Sequence, residues 1–225
     1  MSKIKIFKVT YKNPIMFHEV PLFRGAVINM MKNGSEDILF HNHADDGFRY
    51  RYPLVQYKRI RGNAGIIFLG DGIDRLSDFF NNNSGTARIG QKSLDLETDK
   101  VEAYDVNVQT WKDEFCYSIR KYLPLNQSNY KKYCDMESVI EKYTMLENIL
   151  IGNILSFAKG IDMHLEEQVT VKILSVDPPR EYRFKGVKMM GFDIQFKTNV
   201  SLPDYIGLGK GVSIGFGMIK RLTTK

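Results

Sequence analysis

The chain has 225 residues, 43% of them hydrophobic, which suffices for one large domain or two domains of about 100 residues each and excludes a disordered chain. Its formal net charge of +6 favours a phosphate-bearing partner. A secreted disulfide-rich domain and a membrane span are excluded, because the two cysteines form no CxxC pair and no window approaches about 18 apolar residues. We therefore expect a cytoplasmic protein that binds no membrane.

The first half of the chain alternates between strand-like and helix-like patterns in the order β-α-β-β-α-β. Strands show polar and apolar side chains in alternation, whereas helices show an apolar stripe that recurs every three to four residues. The predicted strands cover residues 3–10, 50–58, 64–71 and 101–111, and the predicted helices cover residues 20–34 and 72–83. This order of elements is that of a ferredoxin-like fold.

The second half repeats this order in part. Its predicted strands cover residues 115–125, 167–176, 180–200 and a last strand from Val212, and one long helix is predicted over residues 135–160. The second helix of a full copy is missing or reduced to residues 201–207. We therefore predict an α+β protein of two tandem ferredoxin-like (βαββαβ) halves, the second degenerate, over residues 1–112 and 113–225.

The C-terminus carries a glycine-rich segment, residues 207–217, with the sequence GLGKGVSIGFG. The dinucleotide fingerprint G-x-G-x-x-G does not fit in any register, and a P-loop would need Ser or Thr after Lys210. In a strand from Val212, Gly215 and Gly217 would leave one face without side chains. Another backbone could then approach closely, either a nucleic acid, which nearby lysines favour, or a helix of the protein itself.

Placed at the end of a tandem ferredoxin-like chain, this segment resembles the glycine-rich loop of CRISPR-associated endoribonucleases of the RAMP superfamily, which process repeat-containing precursor RNA. The resemblance implies RNA binding by the segment, through Gly207, Gly209, Lys210, Gly211, Gly215 and Gly217. In that family a catalytic histidine follows the first helix and precedes the second strand. The sequence HADDGFRYRYPL, which begins at His43, is similar, and the Leu-x-His order ending at His41 is a weaker match.

The residue types between the first helix and second strand suit RNA cleavage without a metal or other cofactor. Such cleavage needs a base for the 2′-hydroxyl proton, an acid for the leaving 5′-oxygen and a cation beside the phosphate. His41 and His43 could act as base or acid near neutral pH, and in an extended segment they face the same way. Arg49, Arg51 or Lys58 would supply the cation. The expected products are a 2′,3′-cyclic phosphate and a 5′-hydroxyl.

The same stretch is also compatible with a metal site or with a simple polar loop. His41 and His43, together with Asp45 and Asp46, are chemically plausible zinc or iron ligands, so a metal-dependent hydrolase is an alternative. A polar loop that merely contains two histidines is another. The adjacent letters HNH are a coincidence, since HNH nucleases disperse these residues over a ββα fold. The remaining histidines, His18 and His164, are isolated and are interpreted as structural or surface residues.

A basic cluster in residues 178–188 interleaves cations with aromatic side chains, a combination that suits phosphate contacts and base stacking. Its cations, Arg180, Arg183, Lys185 and Lys188, are predicted to bind RNA. We expect the RNA partner to be a CRISPR repeat transcript and leave open other CRISPR-associated subunits and a homodimer. A non-catalytic RNA-binding RAMP subunit of an effector complex remains an alternative function.

Overall fold

The computed structural model describes residues 3–31, 52–75, 86–89 and 92–222. These residues form two compact units. The N-terminal unit comprises Lys3–Val106 and Ser213–Gly215, and the C-terminal unit comprises Asn107–Val212 and the residues from Phe216 onward. The sequence-based boundary, after residue 112, lies inside the strand Thr110–Tyr122.

The described residues of the N-terminal unit form one α-helix and a four-stranded antiparallel sheet. Its elements are β1 (Lys3–Pro14), α1 (Val20–Met31), β2 (Val55–Ile60), β3 (Asn63–Leu69), the small hairpin β4 (Thr86–Ile89) and β5 (Lys92–Asp95), and β6 (Thr98–Asn107). The sheet order is β2-β3-β1-β6, which is the order of a ferredoxin-like fold. The 3-10 turns Phe17–Glu19 and Gly70–Arg75 follow β1 and β3.

The core of the N-terminal unit lies between α1 and one face of this sheet. Val20, Phe23 and Val27 are buried on the helix and pack with Tyr11 and Tyr57 from the strands. The Phe23 ring meets the Tyr11 and Tyr57 rings edge to face, at centroid distances of 5.9 and 5.8 Å. The apolar stripe that predicts this helix is therefore the face that closes the core.

The C-terminal unit also has a ferredoxin-like sheet. Its elements are β7 (Thr110–Tyr122), α2 (Gln127–Asp135), α3 (Val139–Gly160), β8 (Val171–Val176), β9 (Arg180–Phe184), β10 (Val187–Val200) and β11 (Met218–Arg221). The order β11-β7-β10-β8 again places the unit's first strand at the centre, and β9 pairs with the start of β10. Both ferredoxin-like halves predicted from the sequence are confirmed.

The long helix α3 covers this second sheet. Ser138 caps it by accepting a hydrogen bond from the Glu141 amide, and Leu146, Leu150 and Ile154 on its inner face are fully buried. The Glu147 carboxylate accepts a hydrogen bond of 2.9 Å from the Ile173 amide at the sheet edge. This buried carboxylate ties the helix to β8.

Several sequence-based boundaries are wrong. Residues 180–200, predicted as one strand, form the hairpin β9–β10, because Lys185 and Gly186 adopt positive φ angles of 50° and 81°. The predicted helix over 135–160 is interrupted at 136–138, and α2 precedes it. Residues 201–207 contain no helix, and the only short helical turn of the region is Val212–Ile214. The predicted helix 72–83 is a 3-10 turn as far as Arg75, and its remainder lies outside the described residues.

No helix in the described part of the chain is long and apolar enough to cross a membrane.

Candidate functional site

The glycine-rich segment is a folded loop rather than a strand. Gly209, Gly211, Gly215 and Gly217 have φ angles of +85°, +71°, +93° and +60°, which L residues rarely adopt. The loop closes on itself through a hydrogen bond of 2.9 Å from the Leu208 amide to the Gly217 carbonyl. The predicted last strand from Val212 is therefore wrong, since β11 begins only at Met218.

Close packing within the protein accounts for most of these glycines. A Cβ atom at Gly209 would lie 2.7 Å from the Tyr122 ring, and one at Gly211 would lie 2.7 Å from the Phe216 ring. A Cβ atom at Gly217 would overlap the Leu208 carbonyl oxygen. Within the N-terminal unit, one at Gly215 would lie 3.3 Å from Phe17. The expected open, glycine-lined face is thus filled by the protein's own side chains.

Within the segment, the stretch from Gly209 to Gly211 is half-buried, as are Ser213 and Ile214. Gly207, Gly215 and Gly217 are buried, whereas Gly209 and Gly211 are half-buried. Among the described residues, no hydrogen bond engages the amide N–H of Gly209 or Gly211. Backbone amides in turns where right-handed and left-handed residues alternate can bind an anion. This stretch is therefore the part of the segment that could contact a phosphate.

Lys210 lies between these two glycines but is tied to the protein. Its amide donates to the Leu123 carbonyl at 3.3 Å, and its ammonium donates to the Leu125 carbonyl at 2.6 Å. Partial burial lowers the pKa of Lys210 by desolvation. The lysine thus holds the loop against the chain that follows β7.

The β9–β10 hairpin distributes the predicted cations over two faces. Arg183 and Lys188 are direct cross-strand partners, so both lie on one face, and Lys185 lies at the turn. Arg180 is three residues from Arg183 and therefore points to the opposite face. All four side chains are exposed. The structure brings together Arg183, Lys185 and Lys188, and it separates Arg180 from them.

A carboxylate that the sequence-based prediction missed lies among these cations. The Lys188 ammonium forms an ion pair of 3.0 Å with Glu181. The two residues are seven apart in the chain, and only the hairpin turn places them side by side, so the linear sequence carries no signal for this pair. Both side chains are largely exposed, which makes the ion pair weak and easily exchanged for a phosphate contact.

Aromatic packing holds the hairpin to the glycine-rich segment. The Phe216 ring meets Tyr182 and Phe184 of β9 edge to face, at 5.9 and 5.8 Å. The Lys121 ammonium lies 5.8 Å from the centre of the Tyr182 ring. Tyr182 and Phe184 alternate with Arg183 along β9, so the hairpin face that packs against the glycine-rich segment is opposite to the face of Arg183 and Lys188.

Lys58 lies on β2 and is completely buried. Tyr57 faces the α1 side of the sheet, so Lys58 and Gln56 face the other side. Desolvation lowers the pKa of Lys58 from 10.5 to about 7. In this structure the Lys58 ammonium is not available to a phosphate in solvent, in contrast to its predicted role as a cation beside the phosphate.

Gln56 fixes the backbone that enters β2. Its amide nitrogen donates to the Tyr52 hydroxyl at 2.9 Å and to the Pro53 carbonyl at 3.0 Å, and its side chain is fully buried. These contacts hold the first residues after the predicted catalytic stretch. His41, His43, Arg49 and Arg51 themselves lie outside the described residues.

The other two histidines, His18 and His164, are exposed, as expected for surface residues. Two further buried groups, the hydroxyls of Tyr11 and Tyr57, have no hydrogen-bond partner among the described residues. Burial raises the pKa of both tyrosines above the usual range. Each hydroxyl therefore stays protonated at neutral pH.

We expect Lys58 to make the fold more stable as the pH rises from about 7 to 9.5. Because its pKa is lower in the folded chain, the unfolded chain binds more protons in this window, and the slope approaches about 1.4 kcal/mol per pH unit. Lys58→Met should abolish this slope, as measured by urea denaturation at several pH values. Lys5→Met, at an exposed position of β1, is the control. An unchanged slope in Lys58→Met would contradict the lowered pKa of Lys58.

Two family models together match nearly the whole chain. Residues 2–107 match the Cas6b N-terminal domain, and residues 109–222 match the Cas6b C-terminal domain. Among curated proteins, the uncharacterized protein MJ0978 of Methanocaldococcus jannaschii is 35% identical over 123 residues, which cover 55% of this chain and 80% of that protein.

Two crystal structures are similar over the full length. A structure described as Cas6b has a TM-score of 0.88 and 27% identity, and the match covers 98% of this chain and 100% of that one. A structure described as the CRISPR RNA processing endoribonuclease Cas6b has a TM-score of 0.74, 24% identity and the same coverage. Both ferredoxin-like halves are therefore part of the shared fold.

Proposed function

Since this chain belongs to the Cas6b family, we propose that it is an endoribonuclease that processes CRISPR RNA by cutting within each repeat. Membership confirms the resemblance to the repeat-processing RAMP endoribonucleases. The proposal rests on the match of both family domains, to residues 2–107 and 109–222. The position of His41 and His43 in the sequence, between α1 and β2, supports it.

The proposed reaction uses no metal ion. His43, or alternatively His41, takes the proton from the 2′-hydroxyl at the scissile position or gives a proton to the leaving 5′-oxygen. The 2′-oxygen attacks the phosphorus, the bond to the 5′-oxygen breaks, and the products carry a 2′,3′-cyclic phosphate and a 5′-hydroxyl. Arg49 or Arg51 stabilises the charge that develops on the phosphate. Lys58 could stabilise this charge only if its ammonium became accessible to the phosphate, because the residue is fully buried in this structure.

The proposed RNA-binding residues differ in role. Arg183, Lys185 and Lys188 lie close together on the β9–β10 hairpin and are exposed, so they suit phosphate contacts. The amides of Gly209 and Gly211 suit a phosphate oxygen. The buried Gly207, Gly215 and Gly217, together with the tethered Lys210, give the loop its shape. Arg180, on the other face of the hairpin, would contact a different part of the RNA.

Incubation of the protein with repeat RNA in excess EDTA tests this proposal. We expect cleavage to continue at an unchanged rate, because side chains alone carry out the proton transfers. Binding without cleavage, with or without added metal, would instead indicate a non-catalytic RNA-binding subunit. Cleavage that EDTA abolishes and zinc or manganese restores would indicate a metal-dependent hydrolase that uses His41 and His43.

A further inference from the structure

A small pocket lies between α2 and the β9–β10 hairpin of the C-terminal unit. Its volume is 280 Å³, and its lining includes Tyr130, Pro179, Glu181, Lys188 and Met190. This volume is below the range of about 300–1,000 Å³ that is common for drug-sized ligands. The pocket therefore suits a flat group of the size of a single nucleobase.

The hairpin side of the pocket belongs to the face that carries the exposed cations. Cross-strand pairing places Arg183 opposite Lys188 and Glu181 opposite Met190, so all four side chains lie on one face. The glycine-rich segment packs against the other face and leaves this one uncovered. An RNA strand whose phosphates contact Arg183 therefore passes the pocket, and one of its unstacked bases can enter it.

Helix α2 forms the other wall of the pocket and is held firmly. Asn126 caps it by accepting a hydrogen bond of 2.7 Å from the Asn129 amide. The Tyr133 ring meets the Phe192 ring of β10 edge to face, at a centroid distance of 5.4 Å. Tyr130 lies three residues earlier on the same side of the helix and is 47% exposed. An exposed ring on a fixed helix is a platform on which a base can stack.

The Tyr130 side chain reaches toward the hairpin. The pKa of Tyr130 is raised, chiefly by a hydrogen bond with Cys134 and, among smaller causes, by the negative charge of Glu181. Met190 and Pro179 add apolar surface to the same pocket. A base that stacks on Tyr130 therefore has its polar edge beside the Glu181 carboxylate.

The ion pair of Glu181 and Lys188 supplies groups that distinguish one base from the others. The carboxylate presents two acceptor oxygens, and the Lys188 ammonium, 3.0 Å from one of them, presents donors. The Watson–Crick edge of guanine carries two adjacent donors, N1–H and the N2 amino group, beside the acceptor O6. Adenine, cytosine and uracil lack two adjacent donors on this edge. Only guanine can therefore engage both carboxylate oxygens and the ammonium together.

We propose that this pocket binds one guanine of the RNA, with Tyr130 stacked on the base, Glu181 accepting from N1–H and the N2 amino group, and Lys188 donating to O6. The inference rests on the proposed function for the nature of the ligand, but it is independent of the cleavage chemistry. Phosphate contacts position a strand without reading its sequence, whereas a base contact reads it. The pocket thus sets which nucleotide of the repeat lies at the hairpin.

Fluorescence anisotropy with the full chain tests the proposal. The probe is a labelled strand of about eight uridines with one central guanosine, and matched strands carry adenosine or inosine at that position. We expect the guanosine strand to bind about fivefold more tightly than the adenosine strand, as a partly exposed base contact allows. Inosine, which lacks the N2 amino group, should bind with intermediate affinity. Equal affinities for all three strands would overturn the proposal.

Substitutions in the pocket identify the groups that read the base. Glu181→Gln should abolish the guanosine preference, because glutamine keeps the size of the side chain but offers only one acceptor oxygen. Glu166→Gln, at another exposed carboxylate of the C-terminal unit, is the control for the change in charge and should keep the preference. Tyr130→Ala should weaken binding of the guanosine strand about fivefold, whereas Tyr130→Phe should not. A preference unchanged in Glu181→Gln would overturn the proposal.

Two parallel measurements separate the pocket from the proposed function. Cleavage of repeat RNA without any guanosine preference would overturn only the pocket, whereas a guanosine preference without cleavage would support the pocket and overturn only the endoribonuclease. Calorimetric titration with GMP tests whether the ligand is a free nucleotide. We expect no binding below the millimolar range, because GMP lacks the neighbouring phosphates that contact the cations. Micromolar binding of GMP would assign the pocket to a free nucleotide and overturn the proposal.

Discussion

Replacement of His43 by alanine is expected to slow cleavage of repeat RNA about 10³-fold, within the range that loss of a general acid or base produces. The imidazole is proposed to move a proton in the rate-limiting step, and alanine cannot replace it. RNA affinity should change little, because the proposed phosphate contacts come from arginine, lysine and backbone amides. Single-turnover rates at saturating protein, with a separate binding assay, measure the two effects.

His41→Ala is the matched comparison for this prediction. We expect a smaller loss of rate, because the sequence around His43 fits the family pattern better. A larger loss in His41→Ala would reverse the assignment of the two histidines. Wild-type rates in both variants would contradict histidine catalysis altogether.

Gly217→Ala is expected to destabilise the folded chain by about 4 kcal/mol, the size of effect associated with severe local strain. The φ angle of +60° disfavours any L side chain, and the new Cβ atom would overlap the Leu208 carbonyl oxygen. The backbone cannot easily yield, because the Leu208 amide donates to the Gly217 carbonyl and the Gly217 amide donates to the Lys121 carbonyl. Urea denaturation of the full chain measures the loss.

Gly186→Ala separates the two causes of this loss. Gly186 also has a positive φ angle, +81°, but an added Cβ atom would meet no atom within 4 Å. Only the conformational cost of about 1 kcal/mol should remain. Equal losses at residues 186 and 217 would show that the close contact with Leu208 contributes nothing.

The strand order of both units was predictable from the sequence because it follows from the order of elements. Alternating side chains identify β1 and β10, a short apolar run identifies β3, and an apolar stripe identifies α1 and α3. The hairpin turn at Lys185-Gly186 was not predictable in the same way. Lysine rarely adopts a positive φ angle, so the pair lacks the usual Asn-Gly signal, and the alternation continues through it.

In the glycine-rich segment, tertiary packing determines the backbone conformation, so the local sequence pattern predicts the wrong secondary structure. Val212, Ile214, Phe216 and Met218 alternate as in a strand, yet Phe216 packs against Tyr182 and Phe184 of the hairpin. That contact requires turns, and the turns require glycine at positive φ. The sequence thus identifies the segment as special, whereas its shape depends on residues about thirty positions away in the chain.

The residue types of the candidate site could be predicted from the sequence, whereas the positions of these residues in the fold mostly could not. The sequence suggests Lys58 as a cation beside the phosphate, but Val55, Gln56, Tyr57 and Lys58 are all buried. A strand covered on both faces cannot be distinguished from a half-exposed one when a lysine interrupts its apolar positions. Similarly, Lys188 lies beside Arg183 because of the register of a hairpin that could not be predicted from the sequence.

The most direct test of the proposed reaction is cleavage of repeat RNA with a single 2′-deoxynucleotide at the scissile position, after product mapping has located that position. Internal attack needs the 2′-oxygen, so this substrate should bind with nearly unchanged affinity and remain uncut over many half-lives of the all-ribose substrate. Cleavage of the deoxy-substituted RNA at the same bond would contradict the proposed mechanism.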